Sequence, residues 1–244
     1  MIRSLIAPNT WSTTGGESRL QVEGENLVVE SNEYVHHQLA SFLAKLRLAR
    51  GIELADGPPA EGVTLFSRAA KAFEAMQTPV NIPINKPSPL ADILSRLQRT
   101  TGVNLLIDTP ALDAAGITPD VETSLQASGV TLAQALGRLC DSLELTFRVI
   151  NSHTVELTTP TAVEGRLEIE FYPVEPLLQA GTTADELIIK IKETIAPQSW
   201  RQTGGPAAIY FDEPSNCLIV LQTQGQQMQT ELLLHEDPSA AGSP

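Results

Sequence analysis

Ile2 to Gly16 reads IRSLIAPNTWSTTGG, and Ile191 to Gly205 reads IKETIAPQSWRQTGG. Eight of these fifteen positions are identical. Unrelated segments of this length share about one position, so the match marks a repeated unit and decides how the rest of the chain is parsed. Beyond the Gly pair the likeness weakens but persists. Leu27, Val28 and Val29 align with Leu218, Ile219 and Val220 after a length difference of two residues.

The second copy spells out the unit. Leu167, Ile169 and Phe171 alternate with Glu168, Glu170 and Tyr172, the period of a strand with one buried face. Thr183 and Glu186 stand at capping-box spacing, and Leu187, Ile188, Ile191 and Ile195 form the apolar stripe of a helix that Pro197 stops. Gly204 and Gly205 turn the chain into a hairpin over Ala208 to Asp212 and Cys217 to Leu221, and a last helix runs to about Glu236. The order is β-α-β-β-α. In the first copy the last helix carries Val35, Leu39, Phe42, Leu43 and Leu46 on one face. Its counterpart is polar at Gln226 and Thr230 and is expected to be shorter or looser. Because Ile2 aligns with Ile191, the first copy begins in mid-helix and lacks the counterpart of residues 167–190. The expectation is a truncated module, cut from a longer protein or given a misassigned start. The opposing reading is that a partner chain supplies the missing strand by β-augmentation.

Between the copies lies a different pattern. Val80 to Asn85 reads as a strand, Ser88 with Pro89 as a helix start, and Leu90, Ile93, Leu94 and Leu97 as its apolar face up to Gly102. Val103 to Ile107 and Val121 to Ala127 read as strands, Thr131 as a second cap before Leu132, Ala135, Leu136, Leu139 and Leu143, and Leu145 to Ile150 and Thr154 to Thr158 as a closing hairpin. The whole chain is thus expected to be α+β with three small domains, a central β-α-β-β-α-β-β domain flanked by two β-α-β-β-α modules. The boundaries are a truncated module at 1–47, a linker with a helix over 64–76 at 48–79, the central domain at 80–158, the complete module at 159–237 and a disordered tail at 238–244.

The phrases PLADILSRLQRTTGVNLLID and VTLAQALGRLCDSLELTFRV of the central domain resemble the short N-terminal domain shared by secretins and TonB-dependent receptors. The flanking β-α-β-β-α copies look like the KH-like modules that follow it in secretin periplasmic regions. The resemblance implies a periplasmic or cell-envelope protein that contacts other proteins and self-associates into a ring. The same short domain also serves in TonB-dependent receptors, which implies a signalling or ligand-sensing alternative. A secretin continues into a β-rich pore domain, and no amphipathic strands of that kind are written here.

Composition narrows the chemistry. A net charge of -13 and a pI near 4.7 would repel a nucleic-acid backbone and an anionic membrane surface. True KH domains clamp nucleic acid with a GxxG loop, and the chain has none. No apolar run approaches the roughly 20 residues of a membrane span, and Pro8, Asn9 and Thr10 interrupt the only candidate signal peptide. Trp11 and Trp200 could form a ligand platform, but beside Pro and Gly-Gly they are expected to pack the helix-to-strand corner. His36 and His37 diverge on a helix, and His153 and His235 stand alone, so no metal site is expected. Asp108 with Asp113 and Asp212 with Glu213 are the nearest approach to paired carboxylates, and they fall in turns where Asp bonds backbone. Cys140 and Cys217 read as core residues. The expectation is a protein-binding chain with no catalytic, cofactor or metal residues.

Overall fold

The computed structural model describes residues 1–54, 64–65, 72 and 74–235, with the side chains of 83 and 85 excepted. The linker sequence at Gly57 to Pro59, most of the helix expected over 64–76, Glu236 and the tail at 238–244 lie outside the described residues. In chain order the first module carries α1 (Ile2–Leu5), β1 (Arg19–Glu23), β2 (Asn26–Glu30) and α2 (Glu33–Ala49). The central domain carries β3 (Pro79–Pro89), α3 (Leu90–Thr101), β4 (Asn104–Ile107), α4 (Thr109–Ala114), β5 (Glu122–Thr131), α5 (Leu132–Leu143), β6 (Thr146–Asn151) and β7 (Thr154–Thr158). After α6 (Pro160–Glu164), the second module carries β8 (Leu167–Pro173), α7 (Glu175–Gln179), α8 (Ala184–Thr194), β9 (Ala208–Asp212), β10 (Cys217–Thr223) and α9 (Gln224–His235).

The chain divides into two compact units. One holds the first module with residues 168–222 and the later part of α9; the other holds the central segment through residue 167, so that α6 falls with it and not after the expected boundary at 158, together with residues 223–228.

The central domain departs from the expected β-α-β-β-α-β-β order, since α4 intervenes between β4 and β5. Its strands form two sheets, an antiparallel β3-β5 pair and a β4-β7-β6 sheet in which β4 runs parallel and β6 antiparallel to β7. Leu90, Ile93, Leu94 and Leu97 of α3 and Leu132, Ala135, Leu136 and Leu139 of α5 meet Val155 and Leu157 of β7 in one buried core. Thr131 and Gln134 form a reciprocal capping box at the start of α5, and Gly102 closes α3 in the left-handed conformation at φ 74°. The expected cap at Ser88 is corrected. Pro87 and Pro89 hold the residues before them extended, so β3 runs on to Pro89. The first free amides of α3, at Leu90 and Ala91, instead reach the carbonyls of Val121 and Pro119 at 2.9 and 3.0 Å.

In the second module the sheet order is β8-β10-β9. The amide of Val174 donates to the carbonyl of Asn216, so the end of β8 meets the beginning of β10 and the two run antiparallel. One face, with Tyr172, Ile209, Leu218 and Val220, packs on Leu187, Ile191 and Ile195 of the α8 segment and on Trp200. Thr183 and Glu186 form the expected capping box. A single buried face was expected for β8, and that is corrected: Glu170, Phe171 and Tyr172 are 2%, 1% and 6% exposed, so both faces are covered. The cover on the second face comes from the first module. Phe42 of α2 packs against Phe171 with ring centroids 5.6 Å apart and the rings tilted by 46°, and Lys45 Nζ lies 5.9 Å from the centre of the Phe171 ring.

Candidate interaction surfaces

The residues shared by the two repeats build one corner twice. Ala7 and Ala196 both adopt positive φ, 39° and 40°, where the helix breaks before Pro8 and Pro197. The hydroxyls of Thr10 and Ser199 donate to those two alanine carbonyls, each at 2.8 Å. The indole N–H of Trp11 donates to Ile6 at 2.7 Å, and that of Trp200 to Ile195 at 2.8 Å. Both rings are buried, so the indoles are corner-packing groups and offer no open face to a ligand. Thr14 and Thr203 each donate across the loop to the Pro and Trp carbonyls. Gly16 and Gly205 are required by space: a Cβ there would stand about 2.1 and 2.0 Å from the carbonyl oxygens of Thr10 and Ser199. The Trp side chains and the Thr14 and Thr203 hydroxyls thus bond within the corner, while the Ser199 hydroxyl also accepts from Gln222 of β10 at 2.7 Å.

The carboxylate candidates separate in the same way. Asp108 is buried, caps α4 by accepting from Ala111, and accepts from Thr158 and Arg166, both at 2.8 Å. Burial pushes its carboxyl up, but the hydrogen bonds from Thr158 and Ala111 and the Arg166 charge outweigh it, and the net shift is downward. Asp113 is exposed. Arg166 also approaches Glu156 at 3.5 Å, which Arg148 holds at 2.7 Å. Asp212 takes two hydrogen bonds from Arg50 and one from Ser215. The Arg50 bonds lower its pKa against the opposing effect of burial. Glu213 is exposed. Neither Asp is paired with the second acid that the sequence places near it, and both are held ionised. His36, His37, His153 and His235 are exposed, and no group of three or more metal-ligating side chains occurs among the described residues. Cys140 and Cys217 are buried free thiols, and burial pushes Cys140 up to about 12.

What distinguishes the two modules is the outer face of each sheet. In the second module it presents Ala208, Tyr210 and Asp212 on β9 against Leu221, Ile219 and Cys217 on β10. In the first module the matching positions are Arg19, Gln21 and Glu23 against Glu30, Val28 and Asn26. The first set is buried or nearly so, with Ile219 at 0%. The second set is exposed throughout. Contacts to the first module surround the second sheet on this side: Ser4 to Tyr210, Phe42 to Phe171, and Arg50 to Asp212. The helical layer of one module therefore seats against the bare sheet face of its twin. Sequence reasoning aligned these strands but did not compare their outward residues, where this difference is written.

Neither a family model nor a curated protein matches the chain. Among solved structures it is similar to the N-terminal domain of the secretin XcpQ from Pseudomonas aeruginosa, at TM-score 0.23 and 13% identity over 65% of this chain and 64% of that one. It is also similar to the type IV competence pilus secretin PilQ of V. cholerae, at TM-score 0.25 and 16% identity over 64% of this chain and 37% of that one. The chain thus spans less than two thirds of either. At these TM-scores the likeness gives no residue correspondence. No helix among the described residues is long and apolar enough to cross a membrane.

Proposed function

We propose that the chain is a non-enzymatic structural and protein-interaction module of the cell envelope, similar to the periplasmic part of a secretin, whose flanking modules arose by duplication. The observation that carries this reading is the seating of one β-α-β-β-α helical layer on the apolar outer sheet face of the other. This is a module-to-module contact of the kind assemblies are built from. Two further features support it. The indoles and the Thr14 and Thr203 hydroxyls that the repeats share bond within their own corner, and Asp108 and Asp212 are fixed by arginines where a catalytic acid or base would need a free proton position. The envelope location follows from the family resemblance of the central domain.

Sedimentation velocity on the chain over a wide concentration range tests the reading. Reversible, concentration-dependent association is expected; a chain that stays monomeric at high concentration would overturn it.

A further inference from the structure

Between the last two turns of α3 and the start of β3, the central domain carries a cleft of about 330 Å³ that opens to solvent. Arg96, Arg99 and Thr100 line it from the helix, and Asn81 and Ile82 from the strand. Side chains three apart share a helix face. Ile93, Leu94 and Leu97 are buried in the core, which leaves Arg96 and Arg99 on the exposed side of α3. The register of β3 on β5 shifts between Val80 and Asn81, and Asn81 is exposed. Ile82 is half-buried against the core and gives the cleft an apolar wall.

The cleft is rich in donors. A guanidinium has five N–H groups and no acceptor. Arg99 commits only Nε, to the carbonyl of Ser95 at 3.2 Å in its own helix. The Thr100 hydroxyl donates to the carbonyl of Arg96 at 2.9 Å. Elsewhere Lys45, Arg50, Arg148 and Arg166 each reach a carboxylate. Arg96 and Arg99 reach none among the described residues, although Asp92 stands one turn before Arg96. A cation in the last turn of a helix suits the macrodipole, and Arg99 alone meets that need. Arg96 lies further in, on the wall of the cleft.

We infer that this cleft is a binding site for an acidic segment of a partner protein, whose glutamate carboxylates are held by Arg96 and Arg99. A carboxylate matches the guanidinium fork and accepts two parallel N–H bonds, and the Asn81 amide adds a further donor. The methylene stem of a glutamate lies along Ile82, a contact that a bare phosphate cannot make. With a net charge of -13, the chain repels a long polyanion or an anionic bilayer, whose charge would extend beyond the two arginines. A short acidic segment concentrates its charge at the cleft.

This inference rests on the protein-interaction reading but not on self-association, so the two fail separately. The probe is hexaglutamate blocked at both ends, titrated into the full chain at low salt while NMR follows the arginine Nε–H and asparagine amide signals. Arg96, Arg99 and Asn81 should shift. Arg138 should not, since its Nη1 already donates to the carbonyl of Gln126 at 2.7 Å. Blocked hexaglutamine should move none of them. Arg96→Gln combined with Arg99→Gln, both at exposed positions, should weaken hexaglutamate binding by about tenfold and leave the melting temperature unchanged. Inorganic phosphate should bind more weakly than the peptide; equal binding would make this a simple anion site and overturn the assignment. If Arg138 moves as far as Arg96 and Arg99, or the double variant binds as well as the native chain, the site inference falls. Concentration-dependent sedimentation would then still support the assembly reading. A chain that stays monomeric yet binds hexaglutamate at these arginines would overturn self-association and leave the site.

Discussion

Arg50 grips Asp212 through two hydrogen bonds, Nε to Oδ2 at 3.0 Å and Nη2 to Oδ1 at 2.5 Å, and so ties the end of α2 to the second module's hairpin. The carboxylate is 5% exposed and the arginine side chain about one third exposed. Arg50→Met would leave Asp212 with only Ser215 as a side-chain partner. A loss of about 2–4 kcal/mol in urea denaturation is expected, discounted from a fully buried pair because Arg50 reaches solvent.

Acid should unfold the chain through Asp108 and Asp212. Both have folded-state pKa values below their ordinary range, so their contribution is complete above the unfolded value of about 3.9 and is lost as pH falls through the lower folded values. Melting temperature measured from pH 7 downward should hold steady to about pH 5 and then fall. Asp212→Asn should shrink the drop below pH 4.

The two glycine pairs should respond unequally to alanine. Gly15 and Gly204 sit at φ 90° and 92° with open space around a Cβ, so Ala costs about 1–2 kcal/mol of backbone strain. At Gly16 or Gly205 the Cβ would overlap a backbone carbonyl, and the corner must open to admit it. A loss of about 3 kcal/mol or more is expected at each, read as the shift in denaturation midpoint.

Caps provide a comparison within one molecule. Thr131→Ala and Thr183→Ala each remove a capping box and should cost about 1 kcal/mol. Ser88→Ala should be near neutral, because Ser88 Oγ only reaches the Lys86 carbonyl at 3.2 Å and caps nothing. Thermal denaturation of the three variants decides between these outcomes.

Both thiols should be silent in the native state. Cys140 and Cys217 are 3% and 1% exposed and burial raises both, so a thiol reagent at pH 8 should label neither until denaturant is added.

The corner residues, the Thr131 cap and the Thr183–Glu186 capping box were legible because their causes are local: Pro197, Gly205 and Trp200 act within a few positions of one another, as do Thr183 and Glu186; the Gln134 half of the Thr131 box was not read from the sequence. The histidines and the four carboxylates gave no constellation in sequence, and the structure brings none of them together into one. The second buried face of β8 was not legible, since Phe171 is covered by Phe42 from the far end of the chain. The helix at Thr109–Ala114 was missed because six residues carry too little periodicity to register, although Asp108 before Pro110 is a fair start signal. At Ser88 the local signal was present but unused, because Val121 and Pro119 already satisfy the helix amides.

The polar dressing of the first module's sheet gives the pair a direction. Arg19, Gln21, Glu23 and Glu30 face water where their twins Ala208, Tyr210, Asp212 and Leu221 receive a neighbour. A third module could not mount the first as the first mounts the second. The two repeats are therefore not interchangeable: transplanting the hairpin of one into the other would expose an oily sheet in one place and trap charge in another.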